Sequence, residues 1–271
     1  MNNVAKHLAF VVFSTASFTA NASPILFVSD SNTDTSIATA LSGAGHTVTS
    51  FTNQYVAATG ASTALLGSLS SYDAIFWSAT GTGLGSLNNN ASMFANLSSY
   101  VSGGGSVFVT GYDSISSPSD PVLRTFLGGS SNVDTCGAPG TISAAATSLT
   151  TGVVDIRGLT PGTIGTQTCD RDGLGGLSVD TLGLVASSGS TGFFQWTLRS
   201  LGLGEIAYVS NGNYNTTSES SMWADPTSTY NAAVRNFASN ATQGSVPEPA
   251  TVALMGLGLA GIGFARKKKQ S

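Results

Sequence analysis

Tyr100-Val101-Ser102-Gly103-Gly104-Gly105-Ser106-Val107-Phe108-Val109-Thr110-Gly111 ends a helix and begins a strand within a few residues. Just upstream, Met93, Phe94, Leu97, Tyr100 and Val101 recur at helical spacing. Three glycines stop that helix, because glycine enters left-handed backbone at little steric cost. Val107-Phe108-Val109 is then a continuous apolar run of β-formers, the mark of a strand buried on both faces. The same order is found on the N-terminal side. Ile25-Leu26-Phe27-Val28 predicts a first buried strand, Ile37, Ala38 and Leu41 a helix stopped by Gly43 and Gly45, and Thr47 to Phe51 a second strand. Ala64, Leu65 and Leu69 suggest a short helix, and Tyr72-Asp73 leads into the strand Ala74-Ile75-Phe76-Trp77.

Strands alternating with helices predict an α/β domain with a mostly parallel sheet, helices on both faces and the Ile25 strand near the centre. An all-β sandwich is the alternative for a secreted chain rich in Ser, Thr and Gly. Asp120-Pro121 starts a helix over Val122 to Leu127, stopped by Gly128. From 129 to 192 the pattern weakens into a loop-rich insertion with short strands. Leu182 to Ala186, Phe193 to Trp196 and Glu205 to Val209 predict later strands. Asp225-Pro226 caps a last helix with Tyr230, Ala233, Val234 and Phe237 on one face.

The chain divides into five parts: a leader over 1–22, the domain over 23–241, a linker over 242–249, an apolar helix over 250–265 and a basic end over 266–271. In the leader, an apolar run from Leu8 to Phe18 precedes Ala20-Asn21-Ala22, the small-residue pattern of a signal peptidase site. The run is too short to span ~30 Å of hydrocarbon. At the other end, Ala250 to Ala265 carries no charge and Arg266 to Lys269 follows at once. That is a marginal membrane span with its basic end held in the cytoplasm. Gly256-x-Gly258-x-x-Gly261 within it matches a dinucleotide fingerprint by letters alone, since no strand precedes it and no acid follows.

Between Ser23 and Ser245 there are 13 acids and 5 bases, a net charge of −8, and all five bases are Arg. An acidic surface so poor in cations excludes nucleic acid as a partner. Cations, neutral sugars or other proteins suit it better. Cys136 and Cys169 are the only cysteines, and in an oxidising compartment an even pair predicts a disulfide. A structural metal would need more ligands than this pair and the one histidine left after processing, so neither metal nor cofactor is expected.

Val246-Pro247-Glu248-Pro249, the apolar span and the basic end together resemble the PEP-CTERM sorting tail of Gram-negative bacteria. Here the basic end is mostly Lys rather than Arg. The resemblance implies recognition by an exosortase-type membrane protease, transient residence in the inner membrane, removal of the tail, and release to the cell surface or an exopolysaccharide matrix. A plain inner-membrane anchor is the alternative. The middle, through Ile25 to Asp30, Tyr72 to Phe76 and Tyr100 to Gly111, resembles the flavodoxin-like fold of class I glutamine amidotransferase-like domains. In that family a nucleophilic Cys sits on the turn after the strand matching Val107 to Thr110, and a His with an acid follows a later strand. Here the turn reads Gly111-Tyr112-Asp113, and Ser210-Asn211-Gly212-Asn213 follows Glu205 to Val209. No triad can be assembled.

The candidate ligand-binding residues are Asp30, Asn32 and Asp34, oxygen-bearing at alternate positions after the first strand, with Tyr112 and Asp113 after the Val107 strand. In open α/β sheets those strand ends face the ligand crevice. The stretch lacks the central Gly and distal Glu of an EF-hand, and helix capping by Thr33 or Asp34, with Asp30 tied to backbone amides, is the preferred reading. Asp170-Arg171-Asp172-Gly173 is a similar candidate, for which a turn is the preferred reading. Ser29, Ser78, Ser114 and Ser210 lack the Gly-x-Ser-x-Gly elbow of a nucleophile. His46 lies at a helix-to-strand turn, where a structural role is expected. These residues predict a non-catalytic binding or structural module, with an extracellular hydrolase of polysaccharide or peptide, using Asp30 and Asp113 as paired acids, as the alternative.

Overall fold

The computed structural model describes residues 22–30, 35–56, 58–79, 90–111, 114–115, 121–134, 138–162, 171–210 and 222–243. Twelve strands and four α-helices are formed among them. In chain order they are β1 (Pro24–Ser29), α1 (Ser36–Gly43), β2 (Thr47–Phe51), β3 (Tyr55–Val56), β4 (Ala61–Ser62), β5 (Ala74–Ser78), α2 (Ala91–Ser102), β6 (Ser106–Thr110) and α3 (Pro121–Phe126). There follow β7 (Ser131–Val133), β8 (Pro139–Ile142), β9 (Gly173–Gly175), β10 (Thr181–Ser187), β11 (Phe193–Leu201), β12 (Gly204–Val209) and α4 (Thr229–Gln243). Ala64–Leu66 forms a 3₁₀ turn in place of the expected short helix.

One ten-stranded sheet runs β2-β1-β5-β6-β12-β11-β10-β8, with β9 on β11 and β7 on β9; β3 and β4 form a separate hairpin. The first five are parallel, and the rest join antiparallel. Taken in chain order, the parallel strands lie 2-1-3-4-5, the flavodoxin-like order. This is the predicted α/β sheet and excludes the all-β sandwich. It also corrects the place of the Ile25 strand. β1 is next to the edge, because only β2 lies beyond it, and the 129–192 segment adds β7 to β10 on the far side and moves the centre further away.

The strands alternate side chains between two cores, as a pleated sheet must. Ile25, Phe27, Phe76, Phe108 and Ala207 face α1 and α4, with Phe76 and Phe108 stacked at 5.1 Å and Phe237 of α4 edge-on to both. Leu26, Val28, Ile75, Trp77, Val107 and Val109 face α2 and α3, through Met93, Phe94, Leu97 and Leu123. Helices therefore cover both faces, and the middles of β1, β5 and β6, Ile25 to Val28, Ala74 to Trp77 and Val107 to Val109, are apolar without a break because neither face of them reaches water.

Caps fix the helix ends. Asn90 Oδ1 accepts from Met93 N at 2.9 Å to start α2, and Pro121 opens α3, where its missing N–H is harmless. The cap of α4 differs from the expected Asp225. Ser228 Oγ accepts from Tyr230 N at 3.1 Å, while Asp225 Oδ1 accepts from the Thr227 N–H in a turn just before it. On α4, the fully buried Asn236 gives its amide to Leu149 O and Val154 O and accepts from Val154 N, pinning the 147–156 loop to the helix.

Candidate functional site

The crest of the sheet is the edge where the parallel strands end. The chain leaves β1 toward β2 on one side and reaches β5 on the other, so the topological switch point lies between the ends of β1 and β5. Asp30, the first residue after β1, stands there and is 1% exposed. Its backbone N–H donates to Ser78 O at 3.2 Å, tying it to the end of β5. One carboxyl oxygen, Oδ2, accepts the indole N–H of Trp77 at 2.5 Å. The other, Oδ1, has no hydrogen-bond partner among the described residues. Burial pushes the carboxyl up to about 7, against the weaker opposing pull of the Trp77 indole and of the Ser62 hydroxyl, which lies near the carboxyl without making a hydrogen bond to it.

The burial is made by the β3–β4 hairpin. Gln54 N donates to Ser29 O at 3.2 Å and Tyr55 N to Asp30 O at 3.1 Å, so the hairpin grows from the end of β1. Ser62 of β4 is fully buried. A carboxyl with one unsatisfied oxygen in such a place opposes folding, and groups of that kind concentrate at functional sites.

Farther along the crest, Tyr208 of β12 donates to Asp172 O at 3.3 Å and lies 3.4 Å from the Ser114 hydroxyl. Asp172 Oδ2 accepts from Ile115 N at 3.3 Å. Arg171 and Asp172 are both buried, and the chain enters β9 directly after them. The available signal was an adjacent acid and base in a chain otherwise poor in charge. On the crest directly after β6 stands Gly111 at φ 136°. A Cβ there would lie 2.7 Å from the carbonyl carbon and oxygen of Ala79. That backbone position is built for glycine.

Of the predicted ligand-binding residues, Asp30 is the one described; Asn32, Asp34, Tyr112 and Asp113 lie outside the described residues, and with them the Asp30–Asp113 separation. Ser29 and Ser78 end β1 and β5, and Ser210 directly follows β12, on the same crest as Ser114. His46 immediately precedes β2 and is half-buried at the opposite edge, roughly 17 Å away by strand rise, and burial lowers its pKa. Cys136, Cys169, Ala20, the 246–249 motif and the apolar span lie outside the described residues; Ala22 is exposed. Among the described residues no helix is long and apolar enough to cross a membrane, and no group of three His, Cys, Asp or Glu side chains could hold a metal.

A groove of about 510 Å³ also opens at the edge opposite the crest, between Tyr72, Asp73, Asn96 and Tyr100. Its polar side chains are largely committed. Asn96 donates to Leu65 O and Gly67 O, and Tyr100 donates to Tyr72 O with its ring laid over Gly105.

Strand order, helices on both faces and a polar crest at the switch point define a flavodoxin-like α/β protein. The fold is similar to that of a cytoplasmic protein of Salmonella typhimurium LT2, with a TM-score of 0.51 at 13% identity over 80% of this chain and 99% of that one. Lesser likenesses are to a Thermoplasma acidophilum protein described as a GMP synthase subunit (TM-score 0.46, 11% identity, 82% of this chain and 94% of that one), and to a protein of Bacteroides uniformis described as ThuA-like (0.44, 12%, 85% and 93%). No curated protein matches the sequence. Residues 245–268 match the PEP-CTERM protein-sorting motif. The chain is thus an exported protein bearing a sorting signal for exosortase, a membrane protease.

Proposed function

We propose that the folded middle is a non-catalytic binding module, displayed outside the cell, whose ligand is held at the crest by Asp30. The observation that carries this reading is the Asp30 carboxyl, which is buried at the switch point with one oxygen satisfied by Trp77 and the other unmatched. A ligand hydroxyl or amine would supply the missing donor. The acidic charge of the domain disfavours polyanions, so neutral or amino-bearing polysaccharide of the surrounding matrix is the ligand class that fits. The turn Gly111-Tyr112-Asp113 carries no cysteine, which supports binding over acyl chemistry. The test is a panel of neutral, amino-bearing and acidic oligosaccharides against the exported protein and its Asp30→Asn form. Binding of the first two classes, weakened at least about 30-fold by the substitution, is expected, since a hydrogen bond to a buried charge contributes about 2 kcal/mol. Equal binding by both forms would overturn it.

The tail delivers the domain. Pro247 and Pro249 flank Glu248 in the motif that the protease would recognise, and Arg266 to Lys269 supply the basic end that follows the apolar run. Cutting near this motif releases the domain. Glu248→Ala is expected to leave most of the protein as a membrane-bound precursor, read by fractionation and mass spectrometry of the C-terminus. Parent protein that keeps Lys267 to Lys269 and stays in the inner membrane would show the tail to be an anchor.

A further inference from the structure

A sheet edge presents a row of unpaired backbone groups, which proteins usually blunt with charge, proline, a bulge or a covering segment. One edge here is covered. Ile142 of β8 donates to Leu159 O at 2.8 Å and accepts from Gly158 N at 3.0 Å. The other edge, β2, is Thr47-Val48-Thr49-Ser50-Phe51. It has no charge and no proline, pairs with β1 in unbroken register, and is exposed at every position but the half-buried Val48. Phe51 is 41% exposed. Thr47 N donates inward to Ser23 O at 3.1 Å. Since strand amides alternate, Thr49 and Phe51 also bond inward, and Val48 and Ser50 turn their N–H and C=O outward. Among the described residues nothing pairs with them.

We propose that a second copy of this chain pairs with β2 in antiparallel fashion about a two-fold axis at Thr49, joining two sheets into one. The strand is its own complement when reversed about that residue. Val48 meets Ser50 of the other copy in a hydrogen-bonded pair, twice by symmetry, which satisfies all four outward groups on each strand. Thr49 meets Thr49 in the closer non-hydrogen-bonded pair, and Thr47 lies against Phe51 at both ends. Threonine pairs and β-branched residues against aromatics are favoured cross-strand neighbours. Charge points to the same occupant. The domain is acidic, yet Ala44 to Val56 contains no Asp, Glu, Lys or Arg, so two copies meet where their repulsion is least. One strand buries less than a standard interface, and pairing strengthens where the chains are concentrated on a membrane or surface.

The experiment places single cysteines in the full chain. Under mild oxidation, Thr49→Cys is expected to form a disulfide-linked homodimer at least about tenfold faster than Thr47→Cys, because the two copies of Thr47 lie about 14 Å apart in this register. Thr47→Cys mixed with Phe51→Cys gives the heterodimer, and the parent, with its native cysteines, gives none. Sedimentation of the parent should show reversible self-association at about 0.1 mM, in keeping with so small an interface. Thr49→Lys, which sets like charges face to face, should abolish it with an unchanged circular dichroism spectrum. Equal cross-linking at Thr47 and Thr49, a parent that stays monomeric at that concentration, or a Thr49→Cys adduct mainly with another protein would overturn the proposal.

Discussion

Asp30→Asn is expected to stabilise the protein at pH 8 by up to about 4 kcal/mol and to leave it nearly unchanged at pH 4. The folded carboxyl titrates at about 7, and the same group in an unfolded chain at about 3.9. Between those values the folded state holds the extra proton, so stability falls as pH rises through the window, by about 1.4 kcal/mol per unit at most. Below it both states are protonated, and above it both are ionised with the full penalty of a buried charge. Asparagine stays neutral throughout, and its oxygen can still accept the Trp77 indole N–H. Asp180 and Asp225 are held below the usual carboxylate range by hydrogen bonds from Ser178 and Thr227, so they titrate below the window and cancel in the comparison. Urea unfolding of both forms from pH 4 to 8 reads the effect. His46, whose lowered pKa adds stability as pH rises, is common to both forms and cancels, so a difference between the two forms that stays flat across that range would contradict the burial of Asp30.

Gly111→Ala is expected to destabilise the protein by about 4 kcal/mol, or to prevent folding. At φ 136° an L-residue is strained by ~1–3 kcal/mol. The added Cβ meets the Ala79 backbone at 2.7 Å, and Ala79 cannot retreat because its N–H is bonded to Thr110 O at 2.7 Å. Overpacking of that kind adds ~1–3 kcal/mol. Thermal unfolding distinguishes this from Gly43→Ala, whose Cβ meets nothing within 4 Å and whose effect should be small. A neutral Gly111→Ala would contradict the close approach of Gly111 to the Ala79 backbone.

The parallel half of the fold is legible in the chain because its strands are buried on both faces. Ile25 to Val28, Ala74 to Trp77 and Val107 to Val109 are apolar without interruption, and each follows a glycine or polar stop. β7, β8 and β9 carry little such signal. Each has three or four residues, rich in Gly, Ser and Asn, and each takes its order from pairing with a neighbour rather than from its own side chains. The β3–β4 hairpin was missed for the same reason, having two residues a strand. Asp30 shows both sides. Its position follows from the end of β1, but its burial depends on Trp77, 47 residues away, and on a hairpin with no periodicity to betray it.

The most direct measurement follows the indole N–H resonance of Trp77 in the exported protein during titration with a neutral oligosaccharide. The account predicts a saturable shift of that resonance, with the Asp30 carboxyl falling below 7 as the ligand hydroxyl donates to it, and loss of both in Asp30→Asn. Saturable binding that leaves the Trp77 resonance and the Asp30 titration unmoved would put the ligand elsewhere and contradict the account.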